Sequence, residues 1–278
     1  METVRSDDLN FAGQLAQASE DVFGSFGRQA FETECGFKVR GAKIAEVIGK
    51  SRTDIIDDQE AVRVYVEGER SSFLIIFDSG LGALLPAYPG FICSMILDGD
   101  CLCDVYYEPS RNNYRWNLFE ENEKEIRTLR AVAAGASKKG VFRLRGESAD
   151  KMARRMQLAK GIDPSLALYA AHAYYAQGND EWLGQMAHYL LNDLQKIPLD
   201  IALLAGRLHS TNTQTEEFVV PFLPMLSQTW ALLPAYDVQP PNGLEVIQQH
   251  IVHDSLWTLY VPTGVELIRE AFQMGVVK

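Results

Sequence analysis

Three cysteines fall within eleven residues, Cys93, Cys101 and Cys103. Thiols this close are the raw material of a metal or redox site. A tetrahedral zinc site, however, wants two close pairs with two to four residues between partners, and this spacing supplies only one, tighter pair. Residues two apart on a strand share a face, so Cys101 and Cys103 are expected to point together into a core beside Cys93. His250-x-x-His253 would place two imidazoles one helical turn apart, but only Asp254 accompanies them. Cys35 is a nucleophile only if folding brings it a histidine from the far half of the chain. Asp98, Asp100 and Asp104 lack the spacing and closing glutamate of a calcium loop, and Asp54, Asp57 and Asp58 read as a solvated loop. There is no Gly-x-Ser-x-Gly elbow, Walker loop or Gly-x-Gly-x-x-Gly, and Asp78-Ser-Gly-Leu-Gly82 reads as a turn between strands. Neither a cofactor nor a metal is therefore assigned, nor any catalytic residue.

The aromatic residues offer recognition instead of catalysis. Tyr169, Tyr174, Tyr175, Trp182, Tyr189 and Trp230 fall mostly on apolar helical stripes. Such residues pack cores, and they also anchor interfaces. They are the candidate partner surface.

The elements that must position these residues change character along the chain. Residues 1–30 read as an arm or helix, with Phe11, Leu15, Ala18 and Val22 spaced at three and four. From 31 to 110 the period is two. Phe31, Thr33, Cys35, Phe37 and Val39 alternate with polar residues, as do Val62, Val64 and Val66. Residues 73–77 and 91–97 read as buried strands, and Asp98-Gly99-Asp100 turns the second into a hairpin with 101–107. Short strands at this spacing predict an antiparallel β-sandwich or barrel-like domain.

The polar stretch 109–116 marks the boundary, and 111–278 is expected to be an α-helical domain of antiparallel, repeat-like helix pairs. Leu118, Ile126, Leu129, Val132 and Ala133 form the first stripe. Asp163-Pro164 is a helix start, and Gly178-Asn179-Asp180 ends one helix and begins the next. The predicted class is α+β. Prolines 221, 224, 234, 240 and 241 prevent a long helix in the apolar segment after the polar loop 209–217. A last helix is expected at Gly264–Met274.

The chain of 278 residues carries a net charge of −11. That excess of carboxylates repels phosphate backbones, so nucleic acid is not an expected partner. Arg127, Arg130, Lys138, Lys139, Arg143 and Arg145 cluster, and read as solvated faces of a helix and a hairpin. No signal peptide and no membrane-length apolar run is legible, and four cysteines form no disulfide framework, so the expected compartment is cytoplasmic.

Three stretches carry a likeness. They are Asp163-Pro-Ser-Leu-Ala-Leu-Tyr-Ala-Ala-His-Ala-Tyr174, Val220-Pro-Phe-Leu-Pro-Met-Leu-Ser-Gln-Thr-Trp-Ala-Leu-Leu-Pro234 and Leu256-Trp-Thr-Leu-Tyr-Val-Pro-Thr-Gly264. With Ile201-Ala-Leu-Leu-Ala205, roughly residues 150–275 resemble the non-catalytic region that follows the protease domain in bacterial caspase-like proteins. The caspase-type catalytic His and Cys segments are missing, so no catalytic residue carries over. The resemblance implies an interaction or regulatory protein that is a partner, regulator or substrate of a caspase-like protease, in bacterial defence or programmed death. Two other classes stay open. One is a cysteine-dependent enzyme using Cys35 or Cys93, and the other is a small-ligand sensor with a pocket at the domain junction.

Overall fold

A computed structural model describes residues 35–65, 71–138, 140–144, 146, 148–208 and 218–277. The expected arm over 1–30, Val66 and the polar loop 209–217 lie outside these. Strands fill the first part and helices most of the second, a mixed α+β architecture.

One sheet has five strands in the order β3-β4-β1-β7-β8. They are β1 (Gly36–Arg40), β3 (Thr53–Ile56), β4 (Ala61–Val64), β7 (Phe91–Asp98) and β8 (Cys101–Pro109). The other has three, in the order β2-β5-β6, from β2 (Ile44–Ile48), β5 (Ser71–Phe77) and β6 (Gly82–Ala87). The sheets do not close into a barrel, and the arrangement is not wholly antiparallel. β1 runs parallel to β7, with Phe37 opposite Cys93 and Val39 opposite Met95. The reason is the crossover: from β4, which is antiparallel to β1, the chain passes through β5 and β6 in the second sheet and returns as β7 on the other side of β1, in the direction of β1.

The hairpin of β7 and β8 forms as the Asp98-Gly-Asp turn predicts, with Asp98 opposite Cys101 and Gly99 at φ +55°. β7 is buried from Phe91 to Leu97 on both its faces. Its inner face meets the second sheet. Phe37 packs 5.7 Å from Phe73 between ring centres, and Tyr107 Oη donates to the Pro86 carbonyl at 2.9 Å. Its outer face is covered by α1 (Trp116–Ala136), whose Ala134 packs on Ile96 and Tyr106. A strand buried on both sides loses its polar alternation, which is why 91–97 reads as a continuous apolar run.

After α1, a short hairpin pairs β9 (Ser137–Lys138) with β10 (Val141–Phe142). Then follow α2 (Ala149–Ala159), α3 (Ser165–Gln177), α4 (Asp180–Leu194) and α5 (Leu199–Leu204). α3 is buried all round from Ser165 to Tyr174, so it is the central helix of this half. Its start is read correctly from Asp163-Pro164. The Asp163 carboxylate accepts the Ser165 amide at 3.0 Å and the Ser165 hydroxyl at 2.6 Å. Gly178 ends it at φ +67°, and the Asn179 side chain caps α4 by accepting the Trp182 amide at 3.3 Å.

The proline-rich segment 218–261 makes short 3₁₀ turns and isolated bridges, and buries Trp230, Trp257 and Tyr260. Tyr260 exchanges both backbone hydrogen bonds with Gly82, which fastens this segment to β6. α6 (Pro262–Gln273) closes the chain. It starts two residues before the expected Gly264 because Pro262 occupies the first helical turn. One hydrophobic cluster runs from Cys35 to Val277, continuous across the boundary at 109–116. Among the described residues no helix is long and apolar enough to cross a membrane.

Candidate functional site

Among the described residues, chemistry-bearing side chains gather in four places. The first lies under α1. Asp104, Tyr106 and Glu108 alternate along the outer face of β8 and meet Arg130 of α1. The Arg130 guanidinium sits 4.0 Å from the centre of the Tyr106 ring. Its Nη1 donates to Glu108 Oε1 at 3.1 Å, its Nη2 to the Tyr107 carbonyl at 3.0 Å, and its Nε to Asp163 Oδ2 at 2.8 Å. The other Asp163 oxygen also accepts the Tyr107 amide at 3.0 Å. Burial disfavours the Arg130 charge, but Asp163 and Glu108 outweigh it, so the cation is held. Half-buried Asp104 is pushed up to about 7 by burial, with Arg130 opposing and Asp163 adding to the rise. This is a structural knot joining β8, α1 and the start of α3. It corrects the reading of Arg130 as a solvated basic residue, because α1 turns it inward between Ile126, Leu129 and Ala133.

The second is a buried chain of Asp200, Thr229 and His172. Asp200 Oδ2 accepts the Met225 amide at 2.8 Å, and Oδ1 accepts the Leu226 amide at 3.1 Å and the Thr229 hydroxyl at 2.5 Å. His172 Nε2 lies 3.0 Å from Thr229 Oγ1. The threonine proton is committed to Asp200, so the imidazole donates to the hydroxyl. A nucleophile and its base need the opposite order, with the imidazole between carboxylate and hydroxyl. Nearby, Trp230 Nε1 donates to Thr258 Oγ1 at 3.0 Å, and Trp257 Nε1 to Tyr169 Oη at 3.1 Å. The network therefore satisfies buried polar groups of the irregular segment.

It carries a pH dependence. Burial pushes His172 from 6.5 down to about 3. Between those values the unfolded chain binds a proton that the folded chain does not. The contribution is whole above 6.5 and is lost as pH falls toward 3, at about 1.4 kcal/mol for each unit of separation traversed. Asp104, raised above its ordinary value of 3.8 to about 7, acts oppositely: its contribution is whole below 3.8 and lost as pH rises toward 7. We expect His172→Gln to remove the acid-limb slope of the histidine alone. Urea unfolding of both proteins across this range measures the difference, and parallel profiles would refute the assignment.

The third place holds the thiols. Cys93 sits opposite Tyr107, far along the hairpin from Cys101 and Cys103. The expectation that all three share a core is therefore corrected: Cys35 and Cys93 are buried, while Cys101 and Cys103 are partly exposed. Burial pushes the Cys35 thiol up to about 12 and the Cys93 thiol well above its ordinary value. Nucleophilic cysteines require the opposite shift. His250 ends a 3₁₀ turn and His253 is exposed beyond it, so no helix aligns them. Among the described residues no group of three or more His, Cys, Asp or Glu side chains is arranged to hold a metal ion.

The fourth is the outer face of α2 and α4. Arg154 of α2 lies 5.0 Å over the Trp182 ring of α4, and Lys160, just past α2, lies 5.6 Å from the Tyr189 ring. Leu158 is 75% exposed and Tyr189 53%. Trp182 and Tyr189 are seven residues apart, hence on one helical face. Of the six aromatic residues expected to meet a partner, Trp182, Tyr175 and Tyr189 reach solvent. Tyr169, Tyr174 and Trp230 are corrected to core residues, at 2%, 2% and 1% exposure. Tyr169 packs 4.9 Å from Phe142 and bonds Trp257, Tyr174 donates to Gln157 at 2.5 Å, and Trp230 packs on Tyr260. Periodicity predicts an apolar stripe but not which stripe stays uncovered. Leu158 went unread for the same reason.

The chain matches no protein-family model, no curated protein and no solved structure. The chemistry of these four places therefore rests on their own geometry.

Proposed function

We propose that this chain is a non-enzymatic interaction protein that works with a caspase-like protease, as its partner, regulator or substrate, and that the α2–α4 face is where the two meet. The observation that carries this reading is Trp182 and Tyr189 on one face of α4 beside Arg154 and Lys160, with exposed Leu158 one turn from Arg154 on α2. Exposed aromatic and aliphatic groups flanked by cations suit a partner segment with an apolar anchor beside acidic residues. The cations stand out on a chain whose net charge is −11. The choice of partner comes from the likeness of residues 150–275 to the accessory region of bacterial caspase-like proteins. A role in bacterial defence follows from that same likeness, and the cytoplasmic setting from four cysteines without a disulfide framework. Should the chain be a substrate, the crossing at 109–115 is a favoured place for cleavage, because Arg111, Asn112 and Tyr114 are exposed there.

The test is to incubate the purified chain with the caspase-like proteases of its own genome and measure complex formation and cleavage. Combining Leu158→Asp with Tyr189→Ala is expected to weaken the complex at least about tenfold, as loss of an interface anchor does. Their exposure keeps the stability change within about 0.5 kcal/mol. Neither complex nor cleavage by any of these proteases would overturn the proposal.

A further inference from the structure

Cys101 and Cys103 sit where a regular strand would keep them apart. Residues two apart on a strand are separated by about 6.7 Å, the far end of the span that a disulfide tolerates. β8 is not regular here. Leu97 faces Leu102 and the next residue back, Ile96, faces Asp104, so Cys103 is an extra, bulged residue. Leu102 and Val105 both point inward, and Cys103 and Asp104 lie between them. A bulge bends its strand and leaves its extra residue unpaired, which frees Cys103 to turn back along the chain. It does so: the Cys103 thiol reaches the Cys101 carbonyl at 3.7 Å. The Ser255 hydroxyl oxygen lies 3.9 Å from the other sulfur, Cys101 Sγ. The Ser255 hydroxyl is itself fixed by donating to the Trp257 carbonyl at 2.8 Å and accepting the Leu102 amide at 3.2 Å.

We propose that Cys101 and Cys103 are an oxidisable dithiol, which hydrogen peroxide closes to a disulfide within β8. When Cys101 ionises, the Cys103 thiol turns its proton from the Cys101 carbonyl to the Cys101 sulfur, and this hydrogen bond is the main cause that brings Cys101 down to about 6, so Cys101 is the thiolate and Cys103 keeps its proton. The Cys101 thiolate attacks one peroxide oxygen, the O–O bond breaks, and the departing hydroxide takes a proton to become water. Cys101 is then a sulfenic acid. The Cys103 sulfur attacks the sulfenic sulfur, the S–O bond breaks, and the hydroxide leaves as water with the Cys103 proton. Two thiols and one peroxide give one disulfide and two waters. Cys35 and Cys93 are internal controls, since burial holds both as thiols away from solvent. This inference is independent of the proposed protease partnership.

The experiment uses the full chain, folded, at neutral pH. Limiting N-ethylmaleimide followed by peptide mass spectrometry is expected to label Cys101 at least about tenfold faster than Cys35 or Cys93, as thiolate fraction and access dictate. After peroxide, the peptide carrying Cys101 and Cys103 should lose two hydrogens and resist labelling until dithiothreitol restores it. In Cys103→Ser the same treatment should leave Cys101 as a sulfenic acid trapped by dimedone, with no disulfide. Both thiols remaining free after peroxide would overturn the proposal. So would direct passage to sulfinic acid, or a disulfide that joins two copies of the chain.

Discussion

Arg130→Ala is expected to destabilise the fold by about 3–5 kcal/mol, the cost of removing one partner from a buried ion pair. The magnitude follows from what is left behind. Asp163 and Glu108 are 0% and 6% exposed at their side chains, and each would keep a carboxylate without its cation. The Tyr107 carbonyl would lose a donor as well. Arg130→Lys is expected to rescue little, because one ammonium cannot replace a planar fork that reaches Glu108, Asp163 and the carbonyl at once. Replacing Arg130 and Glu108 with apolar residues of similar volume and Asp163 with Asn should cost less than Arg130→Ala, since no orphaned charge remains and the Asn oxygen still accepts the Tyr107 and Ser165 amides. Urea unfolding followed by tryptophan fluorescence measures this. A fall below about 1 kcal/mol for Arg130→Ala would mean that the carboxylates reach water, as exposed pairs do.

Asp200→Ala has the second large effect, with an expected loss of about 3 kcal/mol or more, because leaving a buried donor unpaired costs about 1–3 kcal/mol each. Three donors lose their acceptor: the Met225 and Leu226 amides and the Thr229 hydroxyl. These hold the Val220–Pro234 segment against α5, which lacks the regular hydrogen bonding to stand without them. Asp200→Asn should fall between, as its amide keeps one accepting oxygen. A double-mutant cycle with Thr229→Val tests the network directly. Strong non-additivity is expected, since both changes break one chain of bonds. Additive losses would show that Asp200 serves the backbone amides alone.

Both sites illustrate what a linear pattern conveys. Asp163-Pro164 and Gly178-Asn179 announce the ends of α3 and the start of α4, because capping is a contact between residues two or three apart. The Asp98-Gly-Asp turn announces the β7–β8 hairpin for the same local reason. The parallel pairing of β1 with β7 is not local. It depends on the passage through β5 and β6 in the other sheet between β4 and β7, and the alternation of Phe37 and Val39 is equally compatible with either direction. On α1 the expected stripe included Leu118, which is 48% exposed, and omitted Phe119, which is buried. One position of helical phase separates them, and only the sheet beneath decides it.

The thiols return the same lesson. Residue order alone determines that this is an α+β chain, strand-rich first and helical later, with a hairpin that carries Cys93 on one arm and Cys101 and Cys103 on the other. It also determines that no familiar catalytic motif is present. Tertiary structure decided which aromatic residues meet solvent, that Arg130 is buried among carboxylates, and that His172 and Asp200 share a threonine across the helical half. It also parted Cys93 from the other two thiols and bulged β8 at Cys103. The physical reason is common to all of these. Periodicity encodes the faces of an element through bonds along the chain, whereas burial, ionisation and register are fixed by whichever distant element comes to cover each face.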